Sequence, residues 1–333
     1  MDNYASVVHQ MEGFGVQFKS HDLPLIIPTP KRRTCGVKGK WWYWLQLFRT
    51  RTGAEYVVGK FGSYKHGGSE QKVDVDFKPL SEDEKARFRA EQDAARERSR
   101  LAKAEAASLA ALGAAELWCR AARTGHSPYL ERKGVLGEAC RYLPDGTLVI
   151  PLLRYDAPQC DRLRALQRIQ PDGFKLFTKG FAKNGCALRL GHVDDETPLV
   201  LVCEGYATGL SIRMALDRQV PVYVALDAYN LAFVVEILRR VHPQARLLIC
   251  ADDDWKSDDQ DGPNPGRNKA RLVARTTERC DIVWPVFKPG TRQDKDTDFN
   301  DLHGREGIDA VTRQLSSVIS MMQRVSWKGG RGR

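Results

Sequence analysis

The stretch "LVCEGYATGL", residues 201–210, places a glutamate directly after a run of strand-type apolar residues and directly before a glycine. A carboxylate at the end of a buried strand loses its hydration, and this costs free energy unless a cation or several hydrogen-bond donors meet it. The partner of Glu204 is therefore either a basic side chain of the fold or a bound metal ion. The remainder of the chain distinguishes these two possibilities.

Strand-like and helical segments alternate after about residue 197. The runs are "PLVLVCEG", "YATGLSIRMALDR", "VPVYVAL", "NLAFVVEILRRVH", "ARLLICADDD", "NPGRNKARLVARTTERC" and "DIVWPVF". Such alternation is typical of a mostly parallel sheet with flanking helices, an α/β fold. Ligands of these sheets bind at the carboxyl ends of the strands.

Clusters of acidic residues follow three of these strands. Glu204 ends the first, the triplet 252–254 follows "ARLLIC", and Asp294, Asp296, Asp298 and Asp301 follow "DIVWPVF". On neighbouring parallel strands they would share one edge, where mutual repulsion raises their pKa values unless divalent cations keep them ionised. Oxygen ligands without His or Cys suit Mg²⁺ or Mn²⁺.

Within the triplet, Asp252 and Asp254 are two residues apart. Along extended backbone their side chains would face the same way, with Asp253 facing the other. We therefore expect the outer two to be metal ligands.

Three segments together resemble a TOPRIM domain, the module shared by DnaG-type primases, type IA and II topoisomerases and some nucleases. They are "LVLVCEGYATGLSI", "LLICADDD" followed by "NPGRNKA", and "KDTDFNDL". The resemblance implies a Rossmann-like catalytic domain in which Glu204 is the strand-end glutamate and Asp252 and Asp254 are the Asp-x-Asp metal ligands. It also implies that Asp296 and Asp298 are the additional acidic pair of bacterial primases.

Upstream, "DGTLVIPLL" and "LQRIQPDGFKLFTKGFAKNG" resemble the half-domain that precedes TOPRIM in primases of phages, plasmids and other mobile elements. The resemblance covers about residues 127–305. It implies that a set of polar residues contacts template or nucleotide: Lys175, Lys179, Lys183, Asn230 and Lys269. Two positions depart from the family pattern. Thr208 stands where bacterial primases usually have an aspartate, and Tyr229 stands where mobile-element primases often have glycine.

The N-terminal stretch "KWWYWLQLFRTRTGAEYVVGKFGSY" predicts two strands separated by a turn at Gly53. Trp42 and Trp44 lie among cations, including Lys40 and Arg49. Aromatic rings interleaved with cations suit stacking on single-stranded bases. The alternative is that the aromatic residues fill the core of a small sheet.

The domain organisation follows from these patterns. We expect residues 1–78 to form a β-rich unit and residues 79–126 to form a helical connector. The connector begins with Ser81 and Glu84 in capping-box spacing. It is either one helix or a pair of helices broken near Gly113. The resemblance implies that residues 127–196 form the basic α+β half of a primase core and 197–305 the TOPRIM domain. We expect residues 306–333 to form a C-terminal helix with a basic tail.

Composition narrows the partners. The chain has 52 Lys and Arg against 42 Asp and Glu, a net charge of +10, which favours a polyanion such as nucleic acid. The eight cysteines are scattered without zinc-ligand spacing, so no zinc is expected. A signal peptide and a membrane span are not evident, which predicts a cytoplasmic protein.

The combined expectation is a DNA primase that synthesises short RNA primers on single-stranded DNA from ribonucleoside triphosphates. The sequence contains no Walker motif, so a replicative helicase would act in trans. Two alternatives stay open: a TOPRIM nuclease, and a non-catalytic single-stranded DNA-binding accessory protein. A topoisomerase would need a further gate domain.

Overall fold

The computed structural model describes residues 1–50, 53–64, 68–75, 82–256, 258–259 and 262–329. The chain divides into two compact units. One comprises Met1–Ala95 with Asp258–Gly262, and the other comprises Arg96–Ser257 with Pro263–Arg333. The division is coarser than the five segments predicted from sequence, and the finer borders stay predictions.

The N-terminal unit is a four-stranded antiparallel sheet with one helix. Its elements are α1 (Tyr4–Gly13), β1 (Arg33–Cys35), a 3-10 turn (Val37–Gly39), β2 (Trp41–Arg49), β3 (Glu55–Ser63) and β4 (Glu70–Lys72), in sheet order β1-β2-β3-β4. Tyr43 and Leu45 on β2 and Phe61 on β3 pack with Val7 and Met11 of α1. The two predicted strands around Gly53 are confirmed, whereas α1, β1 and β4 were not predicted.

The predicted connector is a single helix, α2 (Glu82–Arg120), which runs for 39 residues and continues through Gly113. A break near Gly113 is therefore wrong. Ser81 of the predicted capping box, the Glu84 side chain and the basic end of the tail lie outside the described residues.

A second antiparallel sheet follows α2. Its elements are α3 (Pro128–Arg132), β5 (Arg141–Tyr142), β6 (Leu148–Leu153), a 3-10 turn (Gln159–Asp161), β7 (Leu163–Ile169) and β8 (Lys175–Phe177), in order β5-β6-β7-β8. This is the α+β segment predicted upstream of the α/β domain.

The α/β domain contains the following elements: β9 (Leu188–Leu190), β10 (Leu199–Cys203), α4 (Tyr206–Ala215), β11 (Val222–Val224), α5 (Ala228–Val241), β12 (Arg246–Cys250), α6 (Pro265–Thr276), β15 (Cys280–Val283), α7 (Phe299–Glu306) and α8 (Ile308–Gly329). The two-residue strands β13 (Asp258–Asp259) and β14 (Gly262–Pro263) pair with each other between β12 and α6 in the sequence. The main sheet has the order β15-β12-β10-β11-β9. Among these five described strands only β9 is antiparallel, so the predicted α/β class is confirmed.

Helices cover both faces of the main sheet because its strands are apolar on both sides. Leu201 and Cys203 of β10 pack with Leu210 of α4 and Phe299 of α7. The alternate residues Val200 and Val202 pack with α5 and α6 through another cluster. This doubly covered strand ends at the residue before Glu204, which explains the burial of that carboxylate.

Among the residues that the structure describes, no helix combines the length and the apolar character needed to cross a membrane.

Candidate active site

Strand register brings the first two acidic positions together. Parallel strands β10 and β12 pair Cys203 with Cys250, so Glu204 and Asp252 both lie just beyond the carboxyl end of this pair. The backbone N–H of Asp252 donates a hydrogen bond to the Glu204 carboxylate. The two acids, 48 positions apart in the sequence, therefore share one edge of the sheet.

Glu204 is buried in an acidic environment. Its Oε1 atom is inaccessible to solvent and has no hydrogen-bond partner among the described residues. Burial, followed by the charges of Asp254 and Asp227, raises the pKa of Glu204 to about 7, while the Lys269 charge acts in the opposite direction. An arrangement that opposes ionisation of a carboxylate in this way favours a cation as its missing partner.

Asp252 shows the same features. Its Oδ1 is inaccessible and lacks a partner within the described part of the chain. Burial raises the pKa of Asp252 well above its usual value, and the charges of Glu204, Asp298 and Asp254 add to the effect. Glu204 and Asp252 thus each present one unsatisfied oxygen at the same sheet edge.

Asp254 is oriented by the start of helix α6. Its Oδ2 accepts the Gly266 N–H at 3.1 Å. A Cβ atom at Gly266 would come within 2.8 Å of this oxygen, so the close approach requires glycine. The negative charge of Asp254 is favoured near the positive end of the helix dipole.

Asp253 belongs to a different environment. Its side chain is 6% exposed and pairs with Arg267 at 2.9 Å and Arg292 at 2.8 Å. Burial would raise the pKa of Asp253, but hydrogen bonds from Asn264 and Arg292 and the charges of the two arginines outweigh burial and lower it. The middle acid of the triplet is thus bound to arginines, whereas Glu204 is affected by the charge of Asp254 and by the backbone N–H of Asp252.

Asp298 is held by three donors. It is the N-cap of α7, where its Oδ1 accepts the N–H groups of Asn300 and Asp301. Its Oδ2 accepts the Thr208 hydroxyl at 2.7 Å. The charge of Asp298 also raises the pKa of Asp252, so Asp298 lies within the acidic cluster. Thr208, the residue that departs from the bacterial primase pattern, donates a hydrogen bond to Asp298.

Asp296 is engaged elsewhere. It is 5% exposed, and its Oδ2 lies 2.8 Å from Nε of Arg305. The hydrogen bond from Arg305 is the main reason why the pKa of Asp296 is lowered. Asp296 is thus paired with Arg305, and its predicted ligand role stays a prediction.

Two acids that were not assigned to the site border it. Asp227 caps α5 and raises the pKa of Glu204. Asp301, whose own pKa is raised by burial and by Asp298, acts on Asp252. Asp227 follows the apolar run "VPVYVAL", so the same strand-end signal that marked Glu204 would have identified it.

The predicted cations differ in their positions. Lys183 Nζ lies 2.5 Å from Asp227 Oδ2, and Lys269 acts on Glu204, so both border the acidic cluster. Lys269 Nζ also lies 3.9 Å from the centre of the Tyr229 ring. Lys175 and Lys179 are exposed on and just after β8, in the antiparallel sheet.

Asn230 has a structural position. It is 1% exposed, its amide donates to the carbonyls of Cys186 and Ala225 at 2.8 Å, and its Oδ1 accepts the Gly185 N–H at 2.7 Å. Both amide hydrogens are used inside the fold. Asn230 therefore joins α5 to the segment before β9, and its predicted nucleotide contact stays a prediction.

The N-terminal aromatic residues were predicted either to stack on bases or to fill the core of the small sheet, and they differ in their exposure. Trp42 is 3% exposed, and the Arg32 guanidinium lies 3.9 Å above its ring, so Trp42 cannot stack on a base as it stands. Trp44 and Lys40 are half-buried, and Arg49 pairs with Glu55 at 2.7 Å. Trp42 is therefore buried beneath Arg32 and lies outside the hydrophobic cluster formed by Tyr43, Leu45 and Phe61, and a nucleic-acid contact for it stays a prediction.

The donor set is compatible with a divalent cation, although it is not a complete cage. Within the described ranges, no three Asp, Glu, His or Cys side chains are arranged to hold a metal ion by themselves. Mg²⁺ is usually held by one or two carboxylates together with water and substrate phosphates. The unsatisfied oxygens of Glu204 and Asp252 fit that requirement.

Residues 199–309 match the family model described as "Toprim domain". This match agrees with the resemblance to a TOPRIM domain seen in the sequence.

The chain is also similar to two Escherichia coli proteins named DNA primase TraC. One is 32% identical over 169 residues, which is 50% of this chain and 16% of the relative. The other is 30% identical over 165 residues, 49% of this chain and 11% of the relative. The chain thus spans less than a fifth of the length of these curated relatives. The matches agree with the predicted resemblance to Toprim primases.

Two solved structures overlap the chain in part. The primase fragment of the bacteriophage T7 primase-helicase protein covers 56% of this chain and 69% of its own, with a TM-score of 0.39 and 14% identity. The DnaG primase catalytic domain bound to single-stranded DNA covers 58% of this chain and 66% of its own, with a TM-score of 0.33 and 17% identity.

Proposed function

We propose that this chain is a DNA primase, a metal-dependent nucleotidyltransferase that synthesises short RNA primers on single-stranded DNA during replication of a phage, plasmid or other mobile element. The observation that carries the proposal is the pair of buried carboxylates, Glu204 and Asp252, each with one oxygen unsatisfied among the described residues. The similarity to proteins named DNA primase TraC supports the choice of reaction.

Glu204 and Asp252 would hold Mg²⁺ or Mn²⁺ at this edge together with substrate phosphates and water, and Asp254 and Asp298 would add negative charge beside them. When bound, the ion would supply positive charge next to the α-phosphoryl group and the leaving pyrophosphate. The protein contributes the orientation of the carboxylates. Asp254 is fixed by the Gly266 N–H, and Asp298 by Thr208 and two backbone amides.

Lys183 and Lys269 would neutralise the triphosphate. Lys183 is paired with Asp227 at 2.5 Å, and the Lys269 charge acts on Glu204, so both are already at the border of the carboxylates. Lys175 and Lys179, exposed in the antiparallel sheet, would contact the template backbone. A replicative helicase acting in trans would provide the single strand.

The test uses the purified chain, a single-stranded template, ribonucleotides and Mg²⁺. Replacing Asp252→Asn or Asp254→Asn should lower primer synthesis at least about 100-fold, because charge stabilisation at the phosphoryl group is lost. Template affinity should be retained. The exposed Asp195→Asn is the matched control and should leave synthesis unchanged.

The same assay separates the alternative functions. Labelled oligomers indicate a primase, a shortened template indicates a nuclease, and template retarded without either product indicates a non-catalytic binding protein. Full synthesis by the Asp252→Asn variant would contradict the proposal.

A further inference from the structure

Two arginines meet at the buried carboxylate of Asp253. Arg267 Nη1 lies 2.9 Å from its Oδ1, and Arg292 Nη1 lies 2.8 Å from its Oδ2. Arg292 also donates to the Asp253 carbonyl oxygen at 2.7 Å. The primase site described above does not use this carboxylate, and its effect is to fix two guanidinium groups beside each other.

Both arginines lie against exposed or half-buried aromatic rings. The Arg267 guanidinium is 4.6 Å from the centre of the Trp284 ring, and that of Arg292 is 4.8 Å from the centre of the Trp255 ring. Each ring has a second cation, Arg271 at 5.1 Å from Trp284 and Lys256 at 4.7 Å from Trp255. These six residues form what we call the arginine–tryptophan rim: Trp255, Lys256, Arg267, Arg271, Trp284 and Arg292.

The rim begins where the acidic cluster ends. Trp255 directly follows Asp254, and its N–H donates to the Asp253 carbonyl oxygen at 2.7 Å. On the other side, Gly266 donates its N–H to Asp254 and is followed directly by Arg267. A strand lying along the rim would therefore arrive beside Asp254.

Packing accounts for only part of the rim. The Asp253 pairs explain why Arg267 and Arg292 are ordered, with side chains only 28% and 21% exposed. They do not explain why Trp255 remains 42% exposed next to Lys256, whose side chain is 47% exposed. A partly exposed indole beside cations is a combination that binds single-stranded nucleic acid, because a base can contact the exposed part of the ring while phosphates meet the cations.

We propose that the arginine–tryptophan rim is a binding track for single-stranded DNA that delivers the strand to the carboxylates at Asp254. The proposal rests on the proposed function only in naming that strand as the template. The binding itself requires neither nucleotide nor metal. Lys256 is paired with Asp294 at 2.5 Å, and a phosphate would replace this exposed partner.

The experiment measures fluorescence anisotropy of a labelled oligothymidylate with the full chain, in EDTA and without nucleotides. Trp255→Ala should weaken binding at least about 5-fold, the lower end of what one base–aromatic stack contributes. Lys256→Gln should reduce the slope of log affinity against log salt by about 0.7, the value for one phosphate contact on a single strand. Phe233→Ala, which removes an aromatic side chain of similar exposure (43%) from α5, is the matched control and should have no effect.

Unchanged oligonucleotide affinity in a folded Trp255→Ala variant would overturn the inference. So would a loss that appears only for a free nucleoside triphosphate, since the ring would then contact the incoming nucleotide instead of a strand. Thermal unfolding of each variant verifies the fold. If the wild-type chain makes no primers and the Trp255→Ala variant still binds the oligonucleotide more weakly, the rim proposal is supported and the primase proposal is rejected. Failure of one proposal can therefore be distinguished from failure of the other.

Discussion

Replacing Glu204 by glutamine should stabilise the metal-free protein at alkaline pH. In the folded chain the Glu204 carboxylate is buried near Asp254 and Asp227, and its pKa is raised from 4.5 to about 7. The folded state therefore binds this proton more tightly than the unfolded chain does, so stability falls as the pH rises from about 4.5 to 7 and is level above that. Glutamine fills the same volume without the charge.

The size of the effect follows from the shift. A rise of the Glu204 pKa from 4.5 to about 7 corresponds to a destabilisation of about 3 kcal/mol at pH 8. For a unit of this size, that raises the thermal unfolding midpoint by about 6–12 °C. At pH 4 both forms are neutral, and the difference should disappear.

The assay is thermal unfolding followed by circular dichroism at pH 8 and pH 4 in EDTA, and then at pH 8 in excess Mg²⁺. Mg²⁺ at ten times its Kd should stabilise the wild type by about 1.4 kcal/mol and the Glu204→Gln variant by less. Glu196→Gln, at an exposed position in the same domain, is the control. A Glu204→Gln variant that is less stable than wild type at pH 8 in EDTA would refute the assignment of Glu204 as a carboxylate lacking its cation.

Three further predictions concern residues whose roles the structure defines, each checked by urea unfolding. Thr208→Val should lower the free energy of unfolding by about 1–2 kcal/mol because Asp298 loses a hydrogen bond, and Thr208→Ser should restore it; equal stability of the two variants would contradict this. Asn230→Ala should cost about 3 kcal/mol or more, since three buried backbone groups lose their partner, and a cost below about 1 kcal/mol would argue against a structural role. Trp42→Ala should destabilise the N-terminal unit by about 3–5 kcal/mol, and retained stability together with lost oligonucleotide affinity would restore the base-stacking interpretation.

The sequence predicted the α/β domain well because its strands are buried on both faces. Continuous apolar runs such as "LVLVC" and "RLLIC" indicate buried parallel strands when helical segments alternate with them. Strand β4 was missed for the opposite reason. It has only three residues, all of them polar, so its pairing depends on tertiary neighbours that no local pattern reveals.

The candidate site was predicted in part. Strand ends and residue alternation selected Glu204, Asp252 and Asp254 as candidate ligands, since both signals follow from backbone geometry, and their ligand role stays a prediction. The difference between Asp296 and Asp298 was not accessible, because it depends on Arg305 reaching one acid and Thr208 the other. Partners so distant along the chain leave no mark on the local sequence. Trp42 illustrates the same limit, since strand alternation alone would expose it, yet Arg32 covers its ring.

Gly266 shows how a site of this kind can be lost without losing an acid. Any side chain at this position would collide with Asp254 Oδ2 and with the Asp252 carbonyl oxygen, 2.9 Å from the added Cβ. A natural variant with alanine at position 266 would retain every acidic residue of the site in its sequence, and yet the Asp254 side chain would be displaced. When homologues of this chain are sorted into active and inactive copies, the glycine at the start of α6 should therefore be weighed together with the acids.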